Sequence, residues 1–237
     1  MLLSVNSKII WKTDSITDSG REAIVGVTNF QDPWFLRKGL ERSRCVGLVA
    51  NIGTGWLIGP SLIMTNWHVL RRADWARGKH IFFNFEQKED GSASDSIRVD
   101  LDPGAFFLSV EELDYAVVAT VGSPGKDLGF IDIARPGTLN EETRVNIIQH
   151  PNGGMKKFAI RDNGLRFFDG TTLQYWTDTE HGSSGSPVFD DRWEIIGVHY
   201  RYDFAADPEK SNIVYNEAHD INAVRNDLLA KYPTILD

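Results

Sequence analysis

From about residue 44 onward the chain alternates short apolar runs with turn residues. "CVGLVANIG", "GTGWLIG", "SLIMTNW", "HIFFNF", "FFLSV" and "DYAVVATV" are rich in β-branched and aromatic side chains, and Gly, Pro, Asn and Asp separate them. Runs of that length with breaks of that kind predict the strands of an all-β barrel or sandwich. A second set repeats the pattern: "GFIDIA", "RVNIIQH", "KKFAIRD", "LRFFDG", "LQYWTDT", "SPVFD" and "EIIGVHY". Between the sets, "VGSPGKDLG" (121–129) carries the turn residues of a connection. Two segments follow another period. "QDPWFLRKGLERSR" predicts a helix with Asp32 as N-cap, Pro33 in its first turn, and Trp34, Leu36 and Leu40 facing inward. "AHDINAVRNDLLAKY" predicts another, with Ile221, Val224, Leu228 and Leu229 on one face. Residues 1–30 are irregular apart from a short strand expected at "EAIVGV". The order is therefore helix, β-set, β-set, helix. There is no internal repeat.

Composition narrows the class. A chain of 237 residues accommodates one large domain or two packed halves. The breaks predict an N-terminal arm and helix over 1–43, a first β-barrel over 44–124, and a second barrel with a terminal helix over 125–237. The net charge is −8 with no basic stripe, which argues against nucleic acid as a partner. Cys45 is the only cysteine, so neither an internal disulfide nor a cysteine metal cluster can form, and a buried small hydrophobe is the expected role. No run reaches the roughly 18 apolar residues of a membrane helix. The N-terminal "MLLSVNSKIIWKTDSITDSG" lacks the apolar core of a signal peptide. A soluble, cytoplasmic protein is expected, with no membrane partner.

The candidate chemistry lies in "TEHGSSGSPVF" (179–189), where small, flexible residues surround Ser184 just before an apolar run. Read alone, this is a surface turn. Two other residues change that reading. "MTNWHV" places His68 directly after an expected strand, and "LDYAVVAT" places Asp114 at the head of a strongly apolar one. A partly buried acid is costly unless something pairs with it. Nucleophilic acyl transfer uses this trio: a base for the serine proton, and a carboxylate that orients and stabilises the imidazole. Gly182 has no side chain, so its N–H and that of Ser184 can face one oxyanion. An α/β-hydrolase is excluded. It would need Gly where Ser186 stands, and its acid follows the serine in sequence. The histidines offer no metal motif, so His80 and His219 are assigned solvated or packing roles, and His150 in "QHPNGG" a structural role at the cleft rim.

Taken in order, "GTGWLIGPSLIMTNWHV", "DYAVV" and "HGSSGSPVFDDRWEIIGVHY" resemble the trypsin/chymotrypsin-like serine peptidase superfamily. "VNIIQHPNGG" and "TDTEHGSSGSPVFDD" are similar to its bacterial disulfide-free branch, which includes glutamyl endopeptidases. The resemblance spans roughly residues 24–230. It implies two six-stranded Greek-key barrels with the active site between them. It also implies a serine endopeptidase that needs no cofactor and acts on a protein or peptide substrate. His68 would be the general base and then the acid, Asp114 its orienter, Ser184 the nucleophile, and Gly182 and Ser184 the oxyanion donors. Residues 197–201 would pair with substrate backbone. The rival is a peptide-binding or partner-activated module, silent alone, because relatives work within larger bacterial defence or stress systems under a regulatory partner.

The resemblance also raises departures and a conflict. Ser183 stands where digestive members carry the Asp that pairs with a freshly cut N-terminus, so no such activation is expected. Val69 replaces their disulfide cysteine. Asp178, six before Ser184, matches the residue that selects Lys or Arg in trypsin-like relatives. Thr179, five before, and His199, fifteen after, match the glutamyl pattern, with Tyr200 beside them on the substrate strand. The expectation favours cleavage after Glu or Asp, with Asp178 turned aside to pair with His199 and keep it cationic.

Overall fold

The computed structural model describes residues 28, 30–140, 142–207 and 210–236. The strand expected at "EAIVGV" lies outside them. The chain divides into two compact units, Met1–Trp34 and Phe35–Asp237, and both sheets lie in the second. The first sheet contains β1 (Val46–Val49), β2 (Gly53–Leu57), β3 (Leu62–Thr65), β4 (His80–Phe83), β5 (Ile97–Asp100), β6 (Phe107–Val110) and β7 (Tyr115–Ala119). Their order is β5-β4-β1-β2-β3-β7-β6. Beyond β5 the chain returns to β7 through a Leu101–Thr120 bridge and the Asp102 N–H on Ala119 O at 2.8 Å. That contact curls the sheet back on itself. β6 continues β5 after a turn in which the Asp102 carboxylate accepts from the Gly104 and Ala105 N–H groups.

The second sheet is built alike from β8 (Asn146–Gln149), β9 (Lys157–Ala159), β10 (Leu165–Phe168), β11 (Thr172–Tyr175), β12 (Pro187–Phe189), β13 (Ile195–Asp207) and β14 (Lys210–Asp220). Its order is β10-β11-β14-β13-β12-β8-β9, and an Arg144–Gly164 bridge brings β10 back towards β8. The fold is the expected all-β pair of curled sheets. Each has seven strands rather than six because one long strand in each is broken, β5 from β6 and β9 from β10. A continuous core runs from Trp56, Ile63, Met64 and Val117 in the first sheet to Ile148, Phe189 and Val198 in the second. Leu173, Tyr175, Val188 and Ile196 form a second cluster. β7, β8 and β12 are buried along their whole length because both faces are covered.

Among the described residues four α-helical segments complete the fold, α1 (Pro33–Ser43), α2 (Ala73–Ala76), α3 (Gly125–Leu128) and α4 (Ile221–Lys231), with a short 3-10 turn at Pro151–Gly153. Asp220 caps α4 by accepting from Asn222 and Ala223 N–H groups; Ile221, Val224 and Leu228 are buried as expected, and Leu229 is only half-buried. The α1 face is a correction. Trp34, Leu36 and Leu40 are 40%, 60% and 62% exposed, whereas Phe35, Gly39 and Ser43 are buried. Phe35 packs on Trp193 with ring centroids 5.1 Å apart, and Gly39 lies directly against the same indole. A small residue lets the helix approach a large ring, so the inward stripe is not its most apolar one. "GFIDIA" forms no strand. Ile131 and Ile133 are buried in an irregular segment, and Ile131 N–H donates to Leu57 O at 2.9 Å.

Candidate active site

His68 sits in a tight turn after β3. Asn66 O accepts from the Val69 and Leu70 N–H groups at 3.2 Å each, and both of those side chains are buried. Asp114 immediately precedes β7, at φ +40°, and its carbonyl accepts from Asn66 Nδ2 at 2.7 Å. The two residues meet at two points. His68 Nδ1 lies 2.7 Å from Asp114 Oδ2, and His68 N–H donates to Asp114 Oδ1 at 3.0 Å. The shorter contact has the length of a charge-assisted hydrogen bond. The Asp114 side chain is 15% exposed and that of His68 is 33%, so the acid is enclosed and the imidazole open. With Nδ1 engaged, Nε2 is the nitrogen left to accept a proton.

Ser184 lies between two glycines with left-handed backbone, Gly182 at φ +90° and Gly185 at φ +86°. A Cβ on Gly185 would collide with Thr54 O and Thr65 Oγ1, so only glycine fits this close approach. Local turns set the loop: Ser183 N–H donates to Glu180 O, and Ser186 N–H to Ser183 O, both at 3.0 Å. The first sheet grips it through β2. Thr54 N–H donates to Ser184 O at 2.8 Å, Thr54 Oγ1 to Gly182 O at 3.0 Å, and Trp56 Nε1 to Gly185 O at 3.1 Å. On the other side, Gly185 N–H donates to His199 O at 2.9 Å and His199 N–H to Ser186 O at 3.0 Å. Ser184 is half-buried among buried neighbours. His68 and Asp114 thus come from the first sheet and Ser184 from a loop of the second that β2 holds down.

Several residues that shape this loop carry no sequence signal of their own. Thr54 is the clearest: its hydroxyl also accepts from His150 N–H at 3.0 Å. The segment 150–154 is a second case. Asn152, at φ +55°, donates its N–H to His181 O at 2.5 Å and its Nδ2 to Glu180 Oε2 at 2.7 Å. Since a trans peptide points its C=O and N–H in opposite directions, the Gly182 N–H faces away from that segment. His150 is corrected from rim to interior. It is fully buried, with Nδ1 2.9 Å from Gly154 O, and burial lowers its pKa from 6.5 to about 4.

The expected specificity residues part company. Asp178 is exposed, and its backbone carbonyl accepts from Gln149 Nε2 at 2.9 Å. Its expected pairing with a cationic His199 is not found. His199 is 3% exposed, its Nδ1 is 2.7 Å from the Tyr175 hydroxyl, and burial lowers its pKa to about 3, so it is neutral. His68 is close enough to His199 to add to that lowering. Thr179 Oγ1 donates to Asn216 Oδ1 at 2.6 Å. Tyr200 donates to Glu217 Oε2 at 2.7 Å and stacks on His219 with centroids 4.1 Å apart. Burial pushes the Glu217 carboxyl up, but hydrogen bonds from Tyr200, Arg201 and Gln174 outweigh it and hold the pKa below the usual range. His219 has a lowered pKa through burial, opposed by the nearby Asp114 charge. Cys45 is buried and its thiol is pushed up to about 12 by burial, the inert role expected.

Residues 53–198 match the family described as Trypsin-like peptidase domain. The uncharacterized protein y4fB of Sinorhizobium fredii is 32% identical over 204 residues, covering 76% of this chain and 31% of its own length. The chain thus spans about a third of that relative. Among solved structures, a Glu endopeptidase superposes with a TM-score of 0.54 at 19% identity, covering 80% of this chain and 90% of the other. The Rv3671c protease of M. tuberculosis, as an inactive Ser-to-Ala mutant, superposes at 0.56 with 17% identity, covering 88% and 98%. At these identities the likeness is one of fold.

Proposed function

The chain belongs to the trypsin-like peptidase family, and from that premise we propose that it is a serine endopeptidase working through an acyl-enzyme. His68 Nε2 takes the proton of Ser184 Oγ as the oxygen attacks the substrate carbonyl. The Gly182 and Ser184 N–H groups receive the oxyanion. His68 returns the proton to the leaving amine, and a water then repeats the sequence to release the acid. Asp114 holds the Nδ1–H tautomer and stabilises the imidazolium. No cofactor enters these steps. The observation that carries the reading is the two-point contact of His68 with Asp114, at 2.7 and 3.0 Å. A fluorophosphonate probe tests it. Labelling at Ser184 that disappears in His68→Ala supports the enzyme; no labelling of the folded protein assigns it instead to a silent, partner-activated module. The greater length of y4fB favours flanking domains as regulators, and a lone cysteine suits the cytoplasm.

For the substrate we favour cleavage after Glu or Asp. Thr179 and His199 stand at the offsets of the glutamyl pattern, and Asp178 does not pair with His199. A neutral His199 would meet a carboxylate through Nε2–H when the Tyr175 hydroxyl donates to Nδ1. His199→Val should cost acidic substrates about 1–3 kcal/mol. Cuts after Arg and Lys that vanish in Asp178→Ser would reverse the preference.

A further inference from the structure

A glycine at 182 leaves the peptide before it free to rotate, because glycine populates positive and negative φ alike. One orientation turns the Gly182 N–H towards the reacting carbonyl. The other turns the His181 C=O there, where it would repel an oxyanion. Contacts around the peptide therefore decide which orientation is occupied. The residues on either side of it are pinned. Glu180 N–H donates to Ser183 Oγ at 3.1 Å, Glu180 O accepts from Ser183 N–H at 3.0 Å, and Ser183 is fully buried. Gly182 O accepts from Thr54 Oγ1 at 3.0 Å.

The carbonyl between them is met by the 150–153 segment. The approach is close: a Cβ on Gly182 would lie 2.7 Å from Gly153 N and 2.8 Å from His150 O. Asn152 touches the loop twice. Its N–H donates to His181 O at 2.5 Å, and its Nδ2 donates to Glu180 Oε2 at 2.7 Å. The first bond needs no particular side chain. The second needs a donor at 152 and an acceptor at 180, one residue before the carbonyl to be held. Asn152 also stands at φ +55°, left-handed backbone that asparagine adopts more readily than other non-glycine residues. Both side chains are exposed, and the catalytic steps make no use of them. On the acyl-transfer reading above, we propose that Asn152 and Glu180 are positioning residues for the oxyanion hole: their side-chain bond clamps residues 180–182 onto residues 150–153, holds the His181 carbonyl on Asn152 N–H, and so keeps the Gly182 N–H turned to the reacting carbonyl. The pair touches no substrate. It acts through one peptide plane, whose reversal would break the bond to His181 O and remove one of the two oxyanion donors.

Exchanging the polarity of the pair tests this role. Asn152→Asp keeps a side chain suited to left-handed backbone but sets two carboxylates against each other. Its kcat should fall about tenfold or more with KM within about twofold of wild type, because oxyanion donors act in the transition state. Fluorophosphonate labelling of Ser184 should slow in parallel. Adding Glu180→Gln to Asn152→Asp returns a donor to face an acceptor, with the positions exchanged, and should bring kcat back to within about threefold of wild type. Glu180→Ala, at an exposed residue, should lower kcat about fivefold, the size of one ordinary hydrogen bond. Binding of a substrate peptide to these variants in a Ser184→Ala background, read by anisotropy, should stay at the Ser184→Ala value. Full kcat in Asn152→Asp, or a loss that the double variant leaves unrestored, overturns the positioning role while wild-type labelling keeps the catalytic reading. A raised KM at unchanged kcat also overturns it, by assigning the pair to substrate binding. Should Asn152→Asp fail to fold by circular dichroism, Glu180→Ala decides, and full kcat there refutes the role. Wild type that neither labels nor turns over fails the acyl-transfer reading and the positioning role with it.

Discussion

Burial holds two histidines neutral, and acid should therefore destabilise the fold well above the carboxylate range. His150 and His199 are 0% and 3% exposed, and their pKa values fall from 6.5 to about 4 and about 3. In the unfolded chain both protonate near their ordinary value. The unfolded state thus binds protons first, and stability that is full above about pH 6.5 is lost as pH falls towards the folded values. At pH 5 each histidine costs about 2 kcal/mol relative to pH 7, or about 4 kcal/mol for the pair. That is a large part of the 5–15 kcal/mol or so of a typical domain. His219 acts in the same direction. Asp190 and Asp220, raised by burial, act in the opposite direction. Urea unfolding followed by tryptophan fluorescence reads the effect. Wild type should lose about 4 kcal/mol between pH 7 and pH 5, and His150→Gln only about half as much over the same interval. A wild-type stability unchanged within about 1 kcal/mol, or a His150→Gln slope equal to wild type, would refute the reasoning. Activity should fall in the same window, since His150 supports the segment that holds His181 O.

Three further outcomes are expected. Ser184→Ala and His68→Ala should each remove most peptidase turnover with the circular dichroism spectrum unchanged, and Asp114→Asn should cost roughly 10⁴-fold; near-wild-type turnover in Ser184→Ala would sink the mechanism. Gly185→Ala, which adds a Cβ against Thr54 O at φ +86°, should lower the melting temperature and abolish fluorophosphonate labelling together. Gly39→Ala places a Cβ 2.6 Å from the Trp193 ring and should cost about 1–3 kcal/mol in urea unfolding while kcat/KM stays at the wild-type value, because the collision is with Trp193 and not with His68, Asp114 or Ser184.

The strands most easily read were those covered on both faces. β1, β2, β3, β7, β8 and β12 each carry a short apolar stretch among turn residues, and that pattern marks each of them. β5 and β14 left no such mark. β14 buries Glu217, and a carboxylate in a strand reads as a turn until Tyr200, Arg201 and Gln174 are seen to satisfy it. The α1 stripe misled for a related reason: its contact is set by how closely Gly39 can approach Trp193, a residue far along the chain, and not by local hydrophobicity. His68, Asp114 and Ser184 were legible because each sits where small residues or a buried acid are otherwise hard to justify. Asn152 and Thr54 were not, because their side chains act on partners far along the chain, Thr54 on Gly182 and His150 and Asn152 on Glu180. The protonation of His199 was decided by tertiary structure alone. Sequence offsets brought it to one pocket with Asp178, but its charge depends on solvent, and burial beneath Tyr175 with Asp178 left outside makes the neutral ring the cheaper state.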